Sequence, residues 1–397
     1  MPLRWIMLLV LFLVRLAMGY QFQSVASISP MLAGEMGLSY AQIGTLIGLF
    51  LLPGVFFAIP SGMVTRAVSN KNLLIVGAAI MIAGALVMAS AEGSQALFIG
   101  RLITGIGGTI FNVILTKMVT EWFFGKEIVS ALSIMLAAWP IGMALGLVTQ
   151  AAIAETWGWP WAIHATAIVA LAALLLTIAL YRDPLVPANT GAQGSGFGLP
   201  RRQFVHMCVA GAAWALFNAC IITMVSFTPD VLSAHGLDPV RARTYTSFAL
   251  WATLLSVPLG GRAIEVFGAA TLWTIVSLGL ATLVIAGLSQ GVAPLILCIA
   301  FGFTAGIPAG ALVALSSEAV SADNRGPGLG IFYTGYYLGM TVCPSLAGWV
   351  RDVTASPAAP VLLAGVMLVC VIALVVLFRV LQKVWPIAPA PAATTGT

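Results

Sequence analysis

The stretch SISPMLAGEMGLS, from Ser27 to Ser39, returns later in the chain as SFTPDVLSAHGLD, from Ser226 to Asp238. The pair sets Pro30 against Pro229 and Gly37 against Gly236, and each copy follows a long apolar run. The offset of about 200 residues then holds along both halves, as it does in a parallel repeat. IPSG at Ile59 meets VPLG at Val257, and TGIGG at Thr104 meets AGIPA at Ala305. IMLAAWPIGM from Ile134 meets IFYTGYYLGM from Ile331, which aligns Gly142 with Gly339 and Trp139 with Tyr336. Glycine and proline are common in membrane helices, so one match carries little; four in one order and register carry the argument.

The composition says what these repeats are made of. Of 397 residues, 60% are hydrophobic and 7% charged, and the mean hydropathy is +1.06. A soluble domain needs roughly a quarter of its residues charged, so the chain is an integral membrane protein. An α-helix needs about 20 apolar residues to cross the hydrocarbon. Runs of that length predict spans over 5–27, 41–62, 73–91, 96–118, 128–152, 162–181, 204–228, 244–260, 271–289, 294–316, 328–349 and 359–381. The expected fold is all-α: twelve transmembrane helices in two six-helix bundles related by a parallel pseudo-two-fold repeat.

The boundary between the bundles is RDPLVPANTGAQGSGFGLPRR, rich in Pro, Gly and small polar residues as linkers are. The expected division is an N-terminal bundle over 1–181, a linker over 182–203, a C-terminal bundle over 204–383 and a disordered tail over 384–397. With the N-terminus inside, Arg4, Arg66, Lys71, Lys117, Lys126, Arg182, Arg201, Arg202, Arg262, Arg325, Arg379 and Lys383 are cytoplasmic, against Arg241, Arg243 and Arg351 outside. By the positive-inside rule both termini lie in the cytoplasm, which suits an inner-membrane protein whose first apolar run is helix 1 rather than a cleaved signal. The charge of +5 thus reports topology, and no basic groove with stacking aromatics suggests nucleic acid. Trp157, Trp159 and Trp161 read as an interfacial belt, and His164 and His206, near span ends, as interfacial. The five cysteines read as small packing residues.

Chemistry concentrates on two arginines. Arg15 lies at the centre of the first apolar run and Arg101 inside the fourth, while all 12 carboxylates fall at or beyond the ends of spans. An ionised side chain at the bilayer centre costs about 2.5–3.5 kcal/mol even on a forgiving scale, so each arginine is expected to face protein or a wet cavity. A transported anion is the candidate for the missing counter-charge. At 100° per residue, Thr104, Gly105, Gly108 and Asn112 share the face of Arg101, and Gly19 lies one turn beyond Arg15. Arg101 has a second reading, outward snorkelling with glycines that only permit packing; Arg15, about 15 Å from either end, has less scope for it. In the repeat Arg15 aligns with Trp214 and Arg101 with Gly302, so the positive charge belongs to the first half. Across from it the second half offers Asn218, Trp251, Tyr333, Tyr336 and Tyr337.

FIGRLITGIGG, Phe98 to Gly108, resembles the helix 4 signature of the major facilitator superfamily. GGRAIEVFG, Gly260 to Gly268, resembles the superfamily's loop between helices 8 and 9, with Gly261, Glu265 and Gly268 in the signature positions and Arg262 beside them. The first copy of that loop, SGMVTRAVSNKN, keeps Gly62, Arg66 and Lys71 but lacks the acid and the second glycine. TEWFFGKE after helix 4, with the arginine of helix 1, is similar to the small-anion permeases for cyanate, nitroimidazole and nitrate or nitrite. The resemblance implies a secondary transporter working by alternating access, with a solute site lined by Arg15, Gly19, Arg101, Gly105, Asn112, Trp139, Asn218, Trp251, Tyr333, Tyr336 and Tyr337. Glu121 and Glu318, aligned in the repeat, are expected to form inner-gate ion pairs with Lys117, Lys126 or Arg325, and Arg262 and Glu265 to belong to that gate. The expected partners are a small anionic solute and the bilayer, for a monomer without cofactor or metal. No nucleotide-binding loop or catalytic cluster suggests an enzyme. A multidrug or amphiphile exporter and a non-transporting sensor of the same fold are the alternatives.

Overall fold

The computed structural model describes residues 3–57, 69–123, 127–183, 199–321 and 324–387. In oil every backbone amide must be paired within its own segment, and the described chain is accordingly helical. Spans α1 (Leu3–Ser27) and α2 are separated by a short helix, Ser29–Glu35; α2 itself comes in two pieces, Tyr40–Leu49 and Leu52–Phe57. Then follow α3 (Asn70–Ala89), α4 (Ser94–Trp122), α5 (Ile128–Trp157) and α6 (Trp159–Leu180). The second half holds α7 (Arg201–Ala234), α8 (Pro239–Phe267), α9 (Ala270–Ser289), α10 in two pieces (Pro294–Gly306 and Ala309–Glu318), α11 (Arg325–Thr354) and α12 (Ala358–Val384). The breaks have local causes: Pro53 in α2 and Pro308 in α10 lack the N–H that would continue the ladder.

Eleven of these spans are long and apolar enough to cross a membrane by composition alone. The twelfth, α11, is less apolar because it carries Tyr333, Thr334, Tyr336, Tyr337, Thr341, Arg351 and Asp352. Its apolar residues Leu338, Val342, Leu346, Trp349 and Val353 are exposed, while Phe332, Tyr337 and Met340 are turned into the protein.

The repeat is visible in the packing. In the first bundle α1 packs on α5 and α6, and α3 on α4 and α6; in the second, α7 packs on α11 and α12, and α9 on α10 and α12. Between bundles α2 packs on α11 and α5 on α8, two seams that the repeat exchanges. The opening motif pair also builds equivalent turns. Gly37 (φ +64) and Gly236 (φ +89) both take the left-handed conformation that glycine adopts without penalty. Two residues later Ser39 caps α2 and Asp238 caps α8.

Several boundaries differ from the sequence expectation. α7 begins at Arg201 and continues through Pro229 to Ala234, so Asp230, expected beyond the span, lies inside a helix. α8 runs from Pro239, which brings Arg243 into the helix, where it is 8% exposed. Trp157 and Trp161 are exposed as a belt requires, whereas Trp159 is tucked in. His206 is fully buried, its Nδ1 2.7 Å from the carbonyl of Arg202 and its ring edge-on to Phe378. Cys220, Cys298 and Cys343 are buried as expected, but Cys208 and Cys370 are exposed. Residues 184–198 of the linker, residues 58–68 with Gly62 and Arg66, Lys126 and tail residues 388–397 lie outside the described residues.

Candidate functional site

With twelve spans, the chain begins and ends on one face, the terminal face. Arg15 sits midway along α1, twelve residues from each end of the helix. Its Nη1 donates to Asn112 Oδ1 of α4 at 3.1 Å, and its guanidinium lies 6.0 Å from the centroid of Trp139 on α5. Asn112 in turn donates through Nδ2 to the hydroxyl of Tyr337 on α11 at 3.4 Å, so Arg15 touches the second bundle through one amide. Nε of Arg15 is sealed from solvent and has no acceptor. Among the described residues Arg15 has no carboxylate within ion-pair distance.

The second bundle meets this cation with aromatic rings. Tyr333, Tyr336 and Tyr337 lie within electrostatic range of Arg15. Trp214 of α7 stacks on Phe217, Phe332 and Tyr336, with interplanar angles of 27°, 17° and 29°. Tyr336 lies edge-on to Tyr333 and Tyr337. Tyr337 is buried, its ring against Gly54 of α2, whereas Tyr333 is 42% exposed. The hydroxyls of Tyr333 and Tyr336 bond to no described residue, which leaves two O–H donors beside the guanidinium and no acid.

Arg101 has a different environment from the one its sequence neighbours suggest. It is 0% exposed. Nε donates to the carbonyl of Leu46 at 2.9 Å, Nη1 to the carbonyl of Gln21 at 3.1 Å and to Ser24 Oγ at 3.5 Å, and Nη2 to the carbonyl of Phe22 at 2.7 Å. Its guanidinium carbon lies 4.8 and 5.7 Å from the ring centroids of Phe50 and Phe22, which pack edge-on against each other. Arg101 thus ties α4 to α1 and to α2 beside the α2 break, each of its three nitrogens donating within the bundle.

The remaining expected lining residues divide by position. Gly19 and Gly105 are crossing points: a Cβ on Gly19 would strike the carbonyl of Trp139, and one on Gly105 would come within 2.6 Å of the carbonyl of Phe50. They bring α1 against α5 and α4 against α2. Asn218 is half-buried with its Nδ2 bonded to the carbonyl of Trp214, one turn back on its own helix. Trp251 is exposed, on a stripe with Phe248 and Leu255, and lies outside the aromatic cluster around Arg15. Trp214 and Phe332 were absent from the expected lining, although the alignment of Arg15 with Trp214 was the signal for the first.

The expected gate ion pairs form within bundles. Glu121 accepts from Asn70 Nδ2 at 2.5 Å and lies 3.6 Å from Lys117. Glu318 pairs with Arg379 of α12 and accepts from Gln382, not from Arg325, which is exposed. Arg262 and Glu265 face each other at 3.4 Å, both more than 70% exposed. The contacts that cross between bundles lie elsewhere: Asn112 to Tyr337 near the middle, and Glu155 to Arg243 and Asp352 to the first turn of α2 at the face opposite the termini. That face is closed. Among the described residues, no hydrogen bond or ion pair between bundles lies at the terminal face.

Comparison with known proteins agrees with this architecture. A protein of Bacillus subtilis (strain 168) described as uncharacterized transporter YycB is 25% identical over 355 residues, covering 86% of each chain. The inward-facing, unoccupied structure of a bacterial homolog of the human lysosomal transporter Spinster superposes with a TM-score of 0.76 at 14% identity, covering 98% of this chain and 99% of that one. The structure of nucleoside transporter NupG gives 0.74 at 16% identity, covering 96% and 100%. These likenesses are of fold. Residues 11–245 and 222–396 both match the Major Facilitator Superfamily, to which this chain belongs.

Proposed function

We propose that this transporter carries a small anionic solute, an inorganic anion or small carboxylate, and that Arg15 is its principal ligand. The observation that carries the reading is a midplane guanidinium with a bare Nε, no carboxylate partner, and the open hydroxyls of Tyr333 and Tyr336 beside it. Desolvated cations that lack a counter-ion favour the binding of one. Asn112 orients the guanidinium, Trp139 covers one side, and the stack on Trp214 forms the opposite wall. Arg101 holds α1, α2 and α4 in place and does not touch the solute. In this scheme the halves 1–181 and 204–383 rock about the site, joined by the linker 182–203.

The excess of lysine and arginine at the terminal face supports placing both termini in the cytoplasm of an inner membrane. The closed face is then the outer one, and the conformation is inward-facing. An amphiphile exporter would also suit aromatic walls, but it leaves the charge of Arg15 without a purpose. The discriminating experiment is a thermal-shift screen of purified protein against inorganic anions, small carboxylates and the neutral amides of those carboxylates. A ligand of the folded state raises the midpoint; anions alone are expected to do so. Equal shifts from the amides would overturn the reading.

A further inference from the structure

The closed face is built from charged groups that the solute site does not use. Glu155 at the end of α5 pairs with Arg243 of α8, bridging the bundles. At the other seam Asp352 of α11 accepts the backbone N–H groups of Tyr40 at 2.9 Å and Ala41 at 2.7 Å, and Arg351 lies over the Tyr40 ring at 4.9 Å. Asp230 of α7 lies in electrostatic range of both Arg243 and Arg351, yet makes no ion pair with either. Its Oδ2 is sealed from solvent and accepts no hydrogen bond. A sealed carboxylate oxygen without a donor is costly, so this conformation does not satisfy Asp230.

What satisfies it follows from which groups move together. Asp230, Arg243, Arg351 and Asp352 belong to the second bundle; Glu155 and Tyr40 belong to the first. When this face opens, Glu155 withdraws and Arg243, which is 8% exposed, loses its only ion-pair partner among the described residues. The acid that travels with it is Asp230.

We propose that Arg243 exchanges partners during the transport cycle, pairing with Glu155 of the opposite bundle when this face is closed and with Asp230 of its own bundle when it is open. Glu155 then favours closure and Asp230 favours opening, and the two acids together keep the two states close enough in free energy to interconvert. The inference rests on alternating access, not on the identity of the solute.

The test is the distance across this face. Spin labels at Glu92→Cys and Gln290→Cys, in the loops after α3 and α9, report it in nanodiscs, with the exposed Cys208 and Cys370 changed to serine. Asp230→Asn is expected to raise the ratio of short to long distances about five-fold or more, in the range of ordinary conformational couplings, and Glu155→Gln to lower it. In an Arg243→Gln background Asp230→Asn is expected to change nothing further, which separates the exchange from a general loss of structure. Asp230→Ser gives the same readout if the asparagine variant fails to fold. An unchanged ratio for both Asp230 variants, or a shift toward long distances, would overturn the proposal, whatever the anion screen shows.

Discussion

Arg15 and Arg101 are the same side chain in the same bundle, one midway along α1 and the other near the start of α4, and they meet the cost of a charge within a membrane span in opposite ways. Arg101 is enclosed: three backbone carbonyls and a serine hydroxyl accept from its three nitrogens, and two phenyl rings lie against it. Arg15 is left open: one amide oxygen and one indole, then unpaired donors and a wall of phenols. A charge that the protein has already neutralised by hydrogen bonding is a joint. A charge that it has left unneutralised is a place for something else to bind. The difference lies in the neighbours, not in the residue.

The largest effect is expected where the enclosed arginine is removed. Arg101→Gln leaves the carbonyls of Leu46, Gln21 and Phe22 without the guanidinium beside the α2 break, a loss of about 3 kcal/mol or more. The thermal midpoint should fall sharply, and Arg101→Lys should rescue little, because one ammonium cannot span three carbonyls in a plane. If Arg101→Lys matched the wild type in stability but lost solute binding, the comparison between the two arginines would have to be reversed.

A smaller effect is expected at the phenol wall. Tyr336→Phe removes one hydroxyl and keeps the stack on Trp214, so solute affinity should fall by about ten-fold, the value of one charge-assisted hydrogen bond, with the midpoint nearly unchanged. Isothermal calorimetry reads the first and a melting curve the second. The smallest effect belongs to the exposed pair Arg262 and Glu265. Surface pairs of this kind contribute roughly 0–1 kcal/mol, so Glu265→Gln should leave melting and binding near wild type; a large change in flux would restore that loop as part of a gate.

How much of this could be read from the chain varied with the physics involved. The bundles were legible because oil imposes helices of a set length and the repeat shows in Pro, Gly and cap residues such as Ser39 and Asp238. The aromatic face of α11 was legible as Tyr333, Tyr336 and Tyr337, since three phenols on one helix are unusual. Arg101 was misleading because its stripe of Thr104, Gly105, Gly108 and Asn112 describes what α4 presents, not what α1 and α2 bring to it; Leu46, Gln21 and Phe22 meet it through backbone atoms that no side-chain pattern reveals. The closed face was missed for a related reason. Asp230 and Arg243 were placed beyond the ends of spans because charge was used to end the spans, whereas α7 and α8 continue past both.

The central claim is that the unneutralised cation at the midplane is the solute's partner, and Arg15→Gln tests it most directly. Its affinity for the best anion from the screen, measured by calorimetry beside a melting curve of the free protein, should fall by at least about ten-fold, as loss of a charged hydrogen-bond donor requires. The melting midpoint should stay level or rise, since removing an uncompensated buried charge relieves the free protein. Arg15→Lys should recover the affinity only in part, lacking the planar fork. Wild-type affinity in Arg15→Gln would contradict the account.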